Sequence, residues 1–149
     1  MFPVDTKILI VDDSSFARTM LKNSLVELKF WKLMEAPEAR SAQKIMMEQE
    51  QQVNPLHLVI IDIHMPEISG LQLLKWIREK DQYKNLPVII LTSSQDKSEI
   101  LEAGKLGVSH YMIKPFDMVT LREKLASTWQ KHGQKYFESL SAASSARSS

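Results

Sequence analysis

Residues 56–66 read LHLVIIDIHMP, an apolar and largely β-branched run that stops at one acid, Asp62. Similar apolar runs lie at residues 7–11 (KILIV), 87–91 (PVIIL) and 111–113 (YMI), with a weaker run at residues 31–34 (WKLM). Near-continuous apolar runs of this length are typical of strands that are covered on both faces. The sequence therefore contains five candidate strands.

The segments between these runs carry apolar residues at helical spacing. Residues three or four positions apart include Ala17, Met20, Leu21, Leu25 and Leu28, and later Ile68, Leu71, Leu74 and Ile77. Such spacing is typical of a helix with one buried face, so Met20 is expected in the core. Strands that alternate with helices predict βαβ units and a parallel sheet.

Turn and cap residues divide the chain at the same places. Residues 12–15 (DDSS) supply N-cap candidates for the first helix, Pro37 suits the first turn of the second, and Ser69 opens the third. Gly107 is placed to end the fourth helix. These local signals agree on five β-α units.

Composition excludes several classes of protein. The chain has 149 residues, of which 44% are apolar, and this is enough for one layered core and one domain. The net charge is +1 with no basic stretch, which argues against direct binding of nucleic acid. The chain has no cysteine, so disulfides and thiolate metal sites are excluded. No secretion signal or run of about 20 apolar residues is present, so we expect a cytoplasmic protein without membrane association.

Reactive side chains follow four of the strands at the same end. They are Asp12 and Asp13, Asp62, Thr92, and Lys114. The carboxyl ends of parallel strands share one edge of a sheet, so these groups should converge. Three adjacent carboxylates require a cation, and an oxygen-only ligand set selects Mg²⁺ or a similar hard ion. Together with an ammonium and a hydroxyl, the set matches the requirements of phosphoryl transfer to a carboxylate.

Four segments resemble the signature segments of response-regulator receiver domains, the CheY-like switches of two-component signalling. They are residues 8–13 (ILIVDD), 61–66 (IDIHMP) followed by Gly70, 90–93 (ILTS) and 114–116 (KPF). They occur in the family's order, and the resemblance covers about residues 5–131. It implies an α/β, three-layer (βα)5, flavodoxin-like fold with a parallel five-stranded sheet of order 2-1-3-4-5.

The resemblance assigns chemical roles to residues of this chain. Asp62 would accept a phosphoryl group, Asp13 would contact Mg²⁺ directly, and Asp12 would act mainly through a metal-bound water. Asp62 and the main-chain carbonyl of His64 would supply further oxygen ligands. Lys114, which precedes the family's cis-proline position at Pro115, would pair with the phosphoryl oxygens.

The resemblance also implies a switch and a lifetime for the phosphoryl group. Thr92 would bond a phosphoryl oxygen in the active state, and Tyr111 stands at the aromatic switch position, although core packing alone would also explain an aromatic residue there. The side chains of His64 and Ser94 would tune dephosphorylation. Neither is an acid or an amide that could position the attacking water, so we expect slow to moderate self-dephosphorylation.

The implied function is signalling, with catalysis limited to the protein's own phosphorylation and dephosphorylation. A histidine kinase or histidine phosphotransferase would supply the phosphoryl group, and the fourth helix, last strand and fifth helix would bind a protein target. The protein would be a monomer or a phosphorylation-dependent dimer.

Two other interpretations stay open. In the first, the chain is the receiver portion of a larger response regulator or hybrid kinase. In the second, it is a metal-dependent aspartyl phosphohydrolase. Such enzymes usually carry Asp-x-Asp at the nucleophile, and residues 62–64 (DIH) lack the second acid.

The C-terminal region extends past the usual end of the family near Lys131. We assign residues 1–131 to the receiver domain and residues 132–149 to a helical extension with a flexible Ser/Ala-rich tail from Ser141. Helical spacing places on one stripe Met118, Leu121, Leu125, Trp129, His132, Tyr136 and Leu140. We favour a helix that continues straight through Gly133 and covers the domain's own flank or a partner. The alternative is a helix that stops at Gly133, because an interior glycine costs about 1 kcal/mol.

Two positions depart from the family's pattern. Ala39 stands where many receivers have glycine, which would reshape the start of the second helix. Gly104 lies inside the fourth helix and should lower its stability by roughly 1 kcal/mol relative to alanine.

Overall fold

The computed structural model describes residues 1–148, with the main chain alone for residues 144–148. Its strands are β1 (Ile8–Val11), β2 (Leu33–Ala36), β3 (Leu58–Ile61), β4 (Val88–Thr92) and β5 (His110–Ile113). The α-helices are α1 (Ser15–Glu27), α2 (Ala39–Gln49), α3 (Gly70–Glu79), α4 (Lys97–Lys105), α5 (Met118–Thr128) and α6 (Gln134–Ser148). A π-helical turn, Trp129–Gly133, joins α5 to α6.

The strands form one parallel sheet in the order β2-β1-β3-β4-β5, which confirms the predicted order. Successive side chains of a strand point to opposite faces, and both faces are apolar. Leu9 and Val59 belong to a core under α2, α3 and α4, whereas Ile8 and Ile60 belong to a core under α1 and α5. The result is the expected three-layer, flavodoxin-like α/β fold.

Three local predictions were wrong. The second strand is Leu33–Ala36 rather than residues 31–34, since Trp31 is exposed and the Lys32 carbonyl accepts the bond that starts the pairing with β1. Pro37 lies before the Glu38 N-cap of α2, outside its first turn. Met20 is exposed, because α1 buries Leu21 and the neighbouring position points about 100° away.

The chain stays helical through Gly133, as we favoured, and the surface it covers is the domain's own flank. Tyr136 is buried and its hydroxyl donates to the carbonyl of Leu56 at 3.1 Å, at the amino-terminal edge of the sheet. The predicted straight stripe is wrong in detail. A π-helical turn has wider spacing than an α-helix, and after it both Tyr136 and Phe137 face the protein.

An aromatic cluster (Phe2, His57, Trp129 and Phe137) holds this helix in place. The ring of Phe2 lies 5.2 Å from that of Trp129, and the ring of Phe137 stacks on His57 at 4.5 Å. Gly133 is buried beneath Phe2, and a Cβ added there would lie 2.9 Å from the Phe2 ring. Close approach of the ring therefore explains a glycine inside the helix.

The helix continues past Ser141, where we expected it to end, and reaches Ser148. Ser149 lies outside the described residues, and the flexibility of residues 141–149 stays a prediction. Within residues 1–148, none of the helices combines the length and the apolarity that crossing a membrane requires.

Candidate functional site

Three carboxylates meet at the carboxyl edge of the sheet. Asp12 and Asp13 follow β1 directly, and Asp62 follows β3, where its main-chain N–H donates to the Val11 carbonyl at 2.9 Å. One carboxylate oxygen from each aspartate lies within 4.8 Å of the others. The convergence predicted from the strand ends is confirmed for these acids.

Asp12 is held in place by the start of α1. Its Oδ1 accepts from the main-chain N–H of Ser14 at 2.9 Å, and its carbonyl accepts from Arg18 at 2.6 Å. Asp12 is buried, whereas Asp13 is exposed to solvent. The cluster therefore has one fixed acid and one that water can reach.

Lys114 brings a positive charge into the cluster. Its Nζ lies 2.5 Å from Asp12 Oδ2 and 3.3 Å from Asp62 Oδ2. Burial disfavours the charged ammonium, but the bond to Asp12 and the charge of Asp62 outweigh it and raise the Lys114 pKa above its ordinary value. The peptide bond between Lys114 and Pro115 is cis, as the resemblance predicted.

Asp62 Oδ1 is buried and has no hydrogen-bond partner among the residues described. Such an orphaned oxygen is rare, because a buried polar atom without a partner is unfavourable. The oxygens of Asp12 and Asp13 lie close by, and hard cations prefer an all-oxygen ligand set. The residues present therefore fit Mg²⁺, although Lys114 now neutralises part of their charge.

The loop after β3 packs tightly against Asp62 because residue 70 is glycine. The N–H of Gly70 donates to the Ile63 carbonyl at 2.7 Å, and a Cβ at Gly70 would lie 2.1 Å from the Asp62 carbonyl oxygen. Any larger residue would push the loop away. Gly70 therefore fixes the position of the loop that carries His64.

Ser94 connects the two predicted switch residues. Its main-chain N–H points at the hydroxyl oxygen of buried Thr92 at 3.4 Å, and its carbonyl accepts from the Tyr111 hydroxyl at 3.0 Å. Burial raises the pKa of Tyr111, so that hydroxyl stays a donor at neutral pH. Tyr111 is half-buried against the core under α4, so its packing and its hydrogen bond coexist.

Sequence reasoning missed Glu99, which touches both residues expected to tune dephosphorylation. Glu99 Oε1 accepts from Ser94 Oγ at 2.5 Å and lies 3.2 Å from His64 Nε2. In the sequence, residues 96–99 (DKSE) fit the start of a helix, where an acid is ordinarily explained by the helix dipole.

A separate cavity of about 490 Å³ lies at the opposite edge of the sheet, against α6. Its walls include Tyr83, Tyr136 and Leu140, none of which belongs to the acid cluster. The acid cluster and Lys114 lie at the other edge, so this cavity has no part in their chemistry.

Comparison with known proteins identifies the family. Residues 8–126 match the model of the response regulator receiver domain. A chemotaxis protein CheY homolog of Campylobacter jejuni is 37% identical over 119 residues, covering 80% of this chain and 88% of its own length. Chemotaxis protein CheY1 of Helicobacter pylori is 38% identical over 120 residues, covering 80% and 93%.

Solved structures agree. Chemotaxis protein CheY4 of Vibrio cholerae superposes with a TM-score of 0.72 at 27% identity, covering 83% of this chain and 98% of that one. The signal receiver domain of an HD domain-containing protein from Pseudomonas fluorescens gives a TM-score of 0.73 at 28% identity, covering 85% and 95%. This chain therefore belongs to the response regulator receiver domain family.

Proposed function

We propose that this protein is a phosphorylation-dependent signalling switch in which Asp62 accepts a phosphoryl group from the phosphohistidine of a histidine kinase or histidine phosphotransferase. The observation that carries this proposal is the state of the Asp62 carboxylate. Lys114 holds its Oδ2, while its Oδ1 is buried without a partner among the described residues. A carboxylate oxygen of Asp62 bonds to phosphorus as the phosphorus–nitrogen bond of the donor breaks, and the electron pair stays on the donor imidazole.

The surrounding side chains support the transfer. Asp12, Asp13, Asp62 and the His64 carbonyl would hold Mg²⁺, which supplies positive charge against the phosphoryl oxygens when bound. Lys114 turns from Asp12 to a phosphoryl oxygen, a short movement for an ammonium on a flexible stem. Thr92 donates its hydroxyl to another phosphoryl oxygen, so the loop that begins there moves inward.

The movement of this loop reaches a surface that suits a protein partner. Ser94 lies on the loop and is bonded to Tyr111 of β5. On α4 and α5, Ile100, Leu101 and Val119 are exposed apolar residues. We propose that the α4-β5-α5 face binds a protein target after phosphorylation. The protein would act as a monomer or as a phosphorylation-dependent dimer.

The cellular setting is proposed by analogy. The relatives from Campylobacter jejuni and Helicobacter pylori are chemotaxis proteins, so we propose a role in chemotaxis or a related two-component pathway in the cytoplasm. The protein would catalyse only its own phosphorylation and dephosphorylation and would have no direct contact with nucleic acid or membrane.

The test is intact-mass analysis after incubation with a small acyl phosphate and Mg²⁺. The parent should gain one phosphoryl group, and Asp62→Asn should gain none because an amide is a poor nucleophile. Asp81→Asn, an exposed aspartate in the loop after α3, is the matched control and should be labelled like the parent. An undiminished adduct in Asp62→Asn would refute the assignment.

A further inference from the structure

Glu99 is turned from α4 toward the phosphoacceptor side of the molecule. It lies in the first turn of α4, after the N-cap Asp96. The side chain of Glu99 is only 20% exposed to solvent, whereas Glu102, one turn later in α4, lies on the exposed side of the helix. The neighbours that cover it include His64 and Ser94, which share its Oε1 as an acceptor.

This arrangement joins two separate loops by side chains. His64 lies in the loop after β3, two residues from Asp62, and Ser94 lies in the loop after β4, two residues from Thr92. Glu99 Oε1 connects them at 3.2 Å and 2.5 Å. The bridge (His64, Glu99 and Ser94) thus spans the gap between the loops that flank the phosphoacceptor on this side.

That gap matters for hydrolysis of the phosphoryl group. Attacking and leaving oxygens lie roughly in line in phosphoryl transfer, so the attacking water must approach from the side opposite the Asp62 oxygen. Because Asp62 follows β3 at the carboxyl edge of the sheet, we place that side beyond this edge, where the loops after β3 and β4 run. A bridge that holds these two loops together narrows the path by which water can reach the phosphoryl group.

We propose that Glu99 is a positioning residue that prolongs the life of the Asp62 phosphoryl group by holding His64 and Ser94 together across the path of the attacking water. This inference rests on the proposed function. In the step that is slowed, a water oxygen bonds to phosphorus and the phosphorus–oxygen bond to Asp62 breaks. The Asp62 carboxylate is regenerated, inorganic phosphate leaves, and the proton of the water passes to solvent.

Decay of the phosphoryl adduct tests the proposal. The protein is loaded with a small acyl phosphate and Mg²⁺, freed of donor by gel filtration, and followed by intact mass. Glu99→Ala removes the shared acceptor, and loss of two hydrogen bonds should speed decay by about threefold to tenfold. Glu99→Gln keeps an acceptor oxygen and should decay like the parent, as should Glu102→Ala on the next turn. Slower decay or unchanged decay in Glu99→Ala would overturn the proposal.

A cycle of variants shows whether Glu99 acts by positioning His64 and Ser94 or by a general effect on the stability of the protein. In a His64→Ala, Ser94→Ala background, Glu99→Ala should change the decay rate by less than about twofold, since interacting groups are not additive. An effect as large as in the parent would refute the bridge. If the parent forms no adduct, the proposed function itself fails, whereas a normal adduct with an unchanged lifetime defeats this inference alone.

A second readout needs neither metal nor donor. Hydrogen exchange of the amides of residues 94–99 should be faster in Glu99→Ala than in the parent and in Glu99→Gln, because release of the bridge frees the loop and the start of α4. Equal exchange in all three proteins would contradict the proposal.

Discussion

Gly133 lies inside a continuous helix directly beneath an aromatic ring, so a methyl group added there should destabilise the protein. A Cβ at this position would lie 2.8 Å from Cε3 of Trp129 and 2.9 Å from Cε1 of Phe2. Carbon atoms in good contact are about 3.5 to 4.0 Å apart. The substitution Gly133→Ala therefore forces one of the two rings to move.

The magnitude follows from two opposing effects. Overpacking a filled site costs about 1 to 3 kcal/mol, while alanine favours a helix over glycine by about 1 kcal/mol. We expect a net loss of about 1 kcal/mol in the free energy of unfolding. Gly104 in α4 is the matched control, because a Cβ there has nothing within 4 Å. Gly104→Ala should raise the free energy of unfolding by up to about 1 kcal/mol.

Urea unfolding followed by circular dichroism measures both variants against the parent. The two should differ from each other by about 2 kcal/mol, with opposite signs. Replacing Phe2 by leucine should reduce the effect of Gly133→Ala, since one of the two rings that the added methyl group meets is then gone. If Gly133→Ala stabilises the protein as much as Gly104→Ala does, crowding by the two rings is not the reason for a glycine at position 133.

Three further predictions concern the metal site, the response to pH and the C-terminal helix. Asp13→Ala should abolish Mg²⁺-dependent phosphorylation by a small acyl phosphate; labelling of this variant in the presence of a chelator would contradict the metal assignment. Burial lowers the pKa of His57 from its ordinary 6.5 to about 4. The unfolded chain therefore binds the proton first, and stability present above pH 6.5 is lost as the pH falls through about 4. In urea unfolding between pH 7 and pH 4, the free energy of unfolding of His57→Asn should fall less steeply with decreasing pH than that of the parent. An equally steep fall in both proteins would exclude His57 as the cause. Amides of residues 134–140 should be protected from hydrogen exchange to the same degree as those of residues 121–129. Exchange of residues 134–140 at random-coil rates would argue against an anchored helix.

The acid cluster could be predicted because its geometry follows from local pattern. Residues 58–61 are apolar at every position, which indicates a strand buried on both faces, and Asp62 comes next. Once the strands are parallel, their carboxyl ends share an edge whatever the details of packing. The strand boundaries alone were therefore enough to predict that Asp12, Asp62 and Lys114 lie close together.

Glu99 could not be found in this way, because its role depends on how a loop packs. Three residues after Asp96, it fits an ordinary helix start. Its contacts with Ser94 and His64 arise from the path of two loops and from the rotation of α4. No spacing in the sequence records either of these.

Phe2 shows the same limit at longer range. A phenylalanine second in the chain carries no periodic pattern, and we made no prediction for it. Its partners, Trp129 and Phe137, are more than 120 positions away. The glycine at position 133 is the clearest sign of the Phe2 ring in the sequence. By itself, however, a glycine inside a helix indicates only a lower stability of that helix.

The aromatic cluster also bears on the order in which the chain can fold as it is made. Phe2 and His57 leave the ribosome long before Trp129 and Phe137, so their rings have no partners while most of the chain is being synthesised. Contacts so far apart in sequence form only after the loop between them is closed. Phe2 thus gains its packing from residues more than 120 positions later, and α6 completes a domain whose sheet can already have formed.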